Sequence, residues 1–433
     1  MIRRNLNDLL AWKASQNRKP LIIQGARQVG KTWLMKKFGE ESFGQTIYLN
    51  FEKSERLRNL FIADFDLNRI ILSIEIESGQ KINPETTLII FDEIQEAERG
   101  LTAIKYFYEE RPELYIIAAG SLLGVSLHKN NSFPVGKVDF MELGPLSFYE
   151  FLENTGEEIL AKELQKQNVD ILPLFHEKLI SLLRLYYYVG GMPEVVQNYI
   201  DTTDLKQVRA IQQKIIMGYE NDFSKHAPTE IVPRILMVWN SILSQLAKEN
   251  RKYTYGQVKK GARAKDFEQA INWLVNAGLI QQVFRVSKPG LPLKAYLDYD
   301  GFKLFLVDIG LLNAMANLDA KVLLDKNRIL TEYKGAMTEQ FVCQQLKPNY
   351  QLFYWSAENA TSEIDFLLQD KNDVIPIEVK AEENLKAKSL KVFKDKYPTT
   401  KAVRLSMSPF RKDNQLTSIP LYLTEGFVEW IEA

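Results

Sequence analysis

Residues 25 to 32 read Gly25-Ala26-Arg27-Gln28-Val29-Gly30-Lys31-Thr32 and fill every fixed position of the pattern G-x-x-x-x-G-K-[ST]. Residues of these types in this order suit a polyphosphate. Glycines let the loop wrap closely, and its backbone N–H groups point inward at phosphate oxygens. Lys31 reaches the β- and γ-phosphates, and Thr32 offers its hydroxyl to a magnesium ion. Leu21-Ile22-Ile23-Gln24 precedes the loop as a short apolar strand, and Trp33 to Phe38 has helical composition. The phosphates would therefore sit at a helix N-terminus. Gly25 to Trp33 is the expected nucleotide-binding segment.

A second set of chemical groups follows. Leu88-Ile89-Ile90-Phe91-Asp92-Glu93 is an apolar run closed by two acids. It reads as a buried parallel strand whose C-terminal end meets the ligand. Asp92 is expected to hold magnesium with Thr32, and Glu93 to polarise the attacking water. Tyr115-Ile116-Ile117-Ala118-Ala119 reads as a further strand, ending at Gly120-Ser121. Ser121 either hydrogen-bonds that water or the γ-phosphate, or simply caps the next turn.

A third constellation lies near the C-terminus. Tyr333 to Val342 reads as a helix carrying Glu339, followed by strand-like Phe353-Tyr354-Trp355, Glu363 to Leu368 and Val374 to Lys380. Glu378 and Lys380 lie two apart, so in a strand they share a face. Asp365 precedes Glu378 by one hairpin's length. Glu339, Asp365 and Glu378-x-Lys380 together point to a restriction-endonuclease-like α/β fold. Asp365 and Glu378 are the expected metal ligands there, and Lys380 would stabilise a nucleophilic water or developing phosphorane charge. An acid-x-Lys pair on a strand is also a common salt bridge, and the pattern does not say that the site cuts.

Elements must position these groups. At 433 residues the chain exceeds one core and suggests several domains. Strand-like and helix-like segments alternate over residues 1–151, which argues a parallel sheet flanked by helices. Residues 152–228 read as a helical lid, broken at Gly190-Gly191-Met192-Pro193, where one helix must end and another begin at the proline. Ser147 and Glu150 fit a capping box just before it. Residues 229–325 run helix, helix, helix, hairpin, the order of a winged helix. Lys259, Lys260, Arg263 and Lys265 cluster ahead of the third helix, a face that meets DNA in helix-turn-helix readers and is otherwise a solvated basic surface. Residues 326–433 hold the third constellation.

Composition narrows the class. Charged residues are 25% and hydrophobic residues 45%, as in an ordinary globular protein. Lys plus Arg and Asp plus Glu are both 55, so no global basic field invites nucleic acid, although local patches can. No run of about 18 apolar residues argues for a membrane span. The N-terminal Met1-Ile2-Arg3-Arg4 leads into polar residues rather than an apolar signal core, and a cytoplasmic location is expected. Cys343 has no second cysteine to pair with and is expected to be a buried helical residue. His128, His176 and His226 are scattered and make no zinc-like cluster.

The loop Gly25–Thr32, Ile90-Phe91-Asp92-Glu93, Gly120-Ser121 and Gly191-Met192-Pro193 together resemble the bacterial and archaeal AAA-type ATPases close to the signal-transduction (STAND) branch. Many of these carry a C-terminal domain of unknown function similar to PD-(D/E)XK nucleases. The resemblance implies a P-loop ATPase domain with helical lid, winged helix and C-terminal nuclease-like domain, using ATP and magnesium. It also implies that Pro193 lies against adenine. Where the family usually has Gly-Arg after the stretch near Phe133, this chain has Gly136-Lys137, which keeps a charge but loses the bidentate fork. Three functions follow as alternatives: an ATP-hydrolysing switch acting on the nuclease-like module, an ATP-dependent nuclease in defence or repair, and a nucleotide-binding scaffold whose nuclease-like domain only docks. The partners implied are ATP and, through the winged helix, DNA; protein partners and self-association stand as further alternatives, with no membrane.

Overall fold

The computed structural model describes residues 1–120, 136–248, 251–324, 331–357, 362–381, 388–397, 401–413 and 416–432. These form two compact units. The first comprises Arg3–Gly144 with Asn276–Leu279; the second comprises Met1–Ile2, Pro145–Val275 and Ile280–Ala433.

The first unit is built on five parallel strands: β1 (Leu21–Gln24), β2 (Gln45–Asn50), β3 (Thr87–Asp92), β4 (Tyr115–Ala119) and β5 (Asp139–Glu142). Their spatial order is β2-β3-β4-β1-β5. Every residue of β3 is buried, as its unbroken Leu-Ile-Ile-Phe run requires of a central strand covered on both faces. Ile89, Phe91, Ile104 and Phe107 anchor the core beside β3. The sheet aligns the C-terminal ends of β1 and β3, so the loop at Gly25 and the acids at Asp92 emerge from the same edge.

In the second unit, the helix Phe148–Asn154 starts with the expected capping box: the Ser147 hydroxyl accepts from the Glu150 amide, and the Glu150 carboxylate accepts from the Ser147 amide. The helix Leu172–Val189 ends at Gly190, and the next, Pro193–Thr202, begins at the proline. Helices Leu205–His226, Val232–Leu246, Tyr255–Val258 and Ala264–Asn276 follow. Next come β6 (Ile280–Val286) and β7 (Leu297–Leu306), an antiparallel pair.

The chain makes one turn before the return strand begins at Leu297. Leu293–Tyr296 form a 3-10 turn, because Leu293 is drawn fully into the core and its amide donates to Gln369 Oε1 at 3.2 Å. The hairpin also continues into a larger sheet. β6 pairs in parallel with β8 (Phe353–Ser356), which leads into β9 (Glu363–Asp370), β10 (Asp373–Val379), β11 (Val403–Ser406), β12 (Arg411–Asp413) and β13 (Leu416–Pro420). The result is one mixed sheet of eight strands, ordered β12-β13-β11-β10-β9-β8-β6-β7. Val286 and Leu293 of the hairpin share a core with Trp355, Leu367 and Phe393. Among the described residues no helix is long and apolar enough to cross a membrane.

Candidate functional site: a phosphate loop and a charged cluster

Backbone shape comes first at the Gly25 loop. Gly25 has φ +148°, and a Cβ there would stand 2.1 Å from the Leu143 carbonyl oxygen, so only glycine fits where β1 leaves the sheet. Gln28 (φ 66°) and Gly30 (φ 92°) turn the chain back before the helix Lys31–Ser42. That helix has no side-chain N-cap and no acid in its first turn, so no side chain competes for its leading amides. Arg3, almost fully buried, braces the loop from behind: its guanidinium donates to the carbonyls of Val29 at 3.3 Å and Gly144 at 2.8 Å. Trp33, on the first turn, is exposed.

Lys31 is buried and its ammonium donates to the carbonyls of Gly25 at 2.8 Å and Ala26 at 2.7 Å. Burial pulls its pKa down to about 8, against the raising fields of Glu93 and Asp92. Asp92 ends β3, also buried. Its Oδ2 accepts from the Thr32 hydroxyl at 2.8 Å and from the Tyr48 hydroxyl at 2.7 Å. Asn50, opposite Asp92 in register, donates through its amide nitrogen to the Tyr48 hydroxyl at 3.2 Å. Burial raises the Tyr48 pKa to about 12, so it remains a donor. Glu93 follows in a left-handed conformation, φ 53°, and Gln95 donates to its Oε2 at 2.5 Å. A hydroxyl and a carboxylate 2.8 Å apart, beside a buried lysine and uncapped helix amides, suit a magnesium-bound polyphosphate. Tyr48, Asn50 and Gln95 were not singled out from sequence. The clue lies in β2, where Thr46, Tyr48 and Asn50 alternate as the polar face of the strand beside β3. Ser121 lies outside the described residues.

Within the second unit, the turn before Pro193 is tightly fixed. A Cβ on Gly191 would stand 2.1 Å from the Leu146 carbonyl oxygen, and the Gly191 amide donates to Asp308 Oδ2 at 2.7 Å. Asp308 is fully buried; its Oδ1 accepts from Leu311 N, and Gln344 of the helix Thr331–Leu346 donates to its Oδ2 at 3.2 Å. Pro193 itself is half-buried at the first position of its helix.

The third constellation sits on the same helix and the neighbouring strands. Glu339 is buried; its Oε1 pairs with Arg251, and its Oε2 lies 3.3 Å from Lys303 Nζ. Lys303 Nζ is also 2.5 Å from Glu363 Oε1. Asp365 accepts from the Val379 amide at 2.7 Å and is hydrogen-bonded to Glu339. Burial, then the Glu339 charge, push Asp365 well above the carboxylate range. Burial would raise Glu339 too, but Arg251 and Lys303 outweigh it and hold it low. Glu378, buried, has Oε1 3.0 Å from Lys380 Nζ; its Oε2 makes no hydrogen bond and lies 4.0 Å from Arg404 Nε. Among the described residues no group of three His, Cys, Asp or Glu side chains is arranged to hold a metal ion. Lys303 and Arg251, central to this cluster, were missed in the sequence, since β7 and the segment after Val232–Leu246 meet Glu339 only in the fold.

Other expected groups stand apart. Lys259, Lys260, Arg263 and Lys265 are exposed around the start of Ala264–Asn276. Lys137 pairs with Glu109 at 3.3 Å. Cys343 is buried on its helix, as expected.

Comparison with known proteins agrees with the first of these sites. Residues 17–152 match the family model described as an AAA domain, and the chain carries an AAA-type P-loop ATPase domain. Residues 180–322 and 334–423 match two families described only as domains of unknown function, DUF8612 and DUF4143. No curated protein matches the sequence. Among solved structures, a Walker-type ATPase of Pyrococcus abyssi is similar at 16% identity and TM-score 0.46, over 73% of this chain and 95% of that one. The Aeropyrum pernix ORC1 protein, solved in complex with DNA, is similar at 11% identity and TM-score 0.30, over 73% and 93%. The Thermotoga maritima RuvB Holliday junction branch migration motor is similar at 14% identity and TM-score 0.30, over 68% and 94%.

Proposed function

We propose that the protein is a magnesium-dependent ATPase that acts as a nucleotide-controlled switch on its second unit. The observation that carries the ATPase reading is the Thr32 hydroxyl seated on the Asp92 carboxylate at 2.8 Å, one residue from buried Lys31 and one from Glu93. In this reading the loop amides and the Lys31 ammonium bind and orient the β- and γ-phosphates. Thr32 and Asp92 hold the magnesium ion, which when bound supplies charge neutralisation at the phosphate oxygens. Glu93 orients the attacking water, with Gln95 fixing its carboxylate. Tyr48 and Asn50 keep Asp92 in one rotamer. Pro193 is assigned to the adenine face on resemblance alone.

The switch reading draws on the Asp308 contacts. The Gly190–Pro193 turn is hydrogen-bonded to Asp308, and Asp308 to the helix that also bears Glu339. A change at that turn therefore has a buried, hydrogen-bonded partner on the helix. A second reading, DNA binding, is favoured by the exposed Lys259, Lys260, Arg263 and Lys265, which supply local charge on a chain with none overall.

Two variants test the ATPase. Lys31→Ala is expected to abolish nucleotide binding. Glu93→Gln is expected to bind ATP and lose turnover, and wild-type turnover in that variant would remove Glu93 from the role. For DNA, reversing Lys259 and Lys260 to Glu should weaken duplex binding and flatten its salt dependence; unchanged binding would return the patch to solvent.

A further inference from the structure

The charged cluster of the second unit holds its own cations. Lys303, on β7, has no solvent exposure. Its ammonium lies 2.5 Å from Glu363 Oε1 and 3.3 Å from Glu339 Oε2, with the Tyr354 ring centroid 4.9 Å away. Arg251 caps the other Glu339 oxygen, and its Nε donates to the Leu246 carbonyl at 3.2 Å. The helix is shaped to receive it: a Cβ on Gly335, one turn before Glu339, would stand 2.6 Å from Arg251 Nη2. Asp365 adds a third carboxyl, fixed by the Val379 amide and by Glu339.

A divalent ion needs carboxylate oxygens at roughly 2.0–2.6 Å in open directions. Here both Glu339 oxygens and Glu363 Oε1 face an ammonium or a guanidinium, and Asp365 is held by the Val379 amide and Glu339. A metal would have to expel Lys303 from the interior, or sit against two fixed positive charges. Glu339 and Glu363, with their oxygens facing Lys303 and Arg251, therefore do not fit a metal as they stand.

We propose that Lys303, seconded by Arg251, is the resident cation of the Glu339–Glu363–Asp365 cluster and that this cluster takes no divalent ion. Lys303 does there what a metal does in a cleaving site, neutralising the gathered acids, but it offers no open position for water or phosphate. The cluster ties the helix Thr331–Leu346 to β7 and β9. This inference is independent of the ATPase reading, because none of its residues belongs to the phosphate loop.

The test is Mn2+ binding to the nucleotide-free full-length protein, followed by the electron paramagnetic resonance signal of free Mn2+. Wild type and Glu363→Gln should bind the same number of ions. Lys303→Gln should gain one Mn2+ per chain, lost again in the Lys303→Gln, Glu363→Gln double variant. Lys303→Arg, which keeps the charge, should gain none. A wild-type Mn2+ that disappears in Glu363→Gln or Glu339→Gln would overturn the proposal, as would a folded Lys303→Gln with no added ion. Should Lys303→Gln fail to fold, the comparison of wild type with Glu363→Gln decides alone.

Discussion

Lys31 carries two opposite pH dependences. Its pKa falls from 10.5 to about 8 on folding, because burial disfavours the ammonium. Between those values the unfolded chain binds more protons than the folded one, so nucleotide-free stability should rise with pH across that window. Phosphate binding needs the ammonium, so ATP affinity should move the other way, falling by up to about tenfold per pH unit above about pH 8. Parallel thermal melts and ATP titrations check both signs; affinity flat to pH 9.5 would mean that Lys31 does not hold the phosphates. Tyr48 offers a second test. Tyr48→Phe removes one donor from Asp92, worth about 1 kcal/mol, and should raise the half-saturating Mg2+ concentration for hydrolysis about fivefold while leaving metal-free ATP binding unchanged. Lys31, Thr32, Asp92 and Glu93 could be named from sequence because a loop motif is contiguous. Tyr48 and Lys303 could not, because each meets its partner across strands that the sequence does not pair.

At the scale of elements, strands and helix breaks were the easiest to read. β3 is a solid apolar run, the capping box at Ser147 is a local pattern, and Gly190 to Pro193 punctuates two helices. Harder to read was what the break is for. Asp308 sits far along the chain, yet it accepts from Gly191, Leu311 and Gln344. Asp308→Ala leaves these donors buried without an acceptor, at about 1–3 kcal/mol each, and should lower the melting temperature sharply. Asp308→Asn keeps the shape but turns part of the acceptor into a donor facing the Gly191 amide, and should fall between the two. Melting curves indistinguishable from wild type in both variants would remove Asp308 as the anchor of the turn.

Across the whole molecule, local signals leave open which strands lie side by side. Three helices and a hairpin occur in the order read from sequence, but hydrogen bonds between Phe284, Arg285 and β8 draw the hairpin into the eight-stranded sheet. Periodicity reports each strand's faces, not the strand it will lie beside. Apart from Asn276–Leu279, the segments read as lid, winged helix and nuclease-like domain fall in one compact unit, and the parallel sheet falls in the other.

That parallel seam between β6 and β8 has a consequence during synthesis. A ribosome releases the hairpin well before Phe353 is made, and until then β6 presents a row of bare amides and carbonyls on its open side. Such an edge recruits strands from other chains. A chain stopped at Leu324 should therefore aggregate, and supplying the remaining segment in trans should rescue its solubility. Sedimentation of the two preparations reads the answer; a soluble, monomeric truncation would show that the growing chain shields this edge before its partner strand arrives.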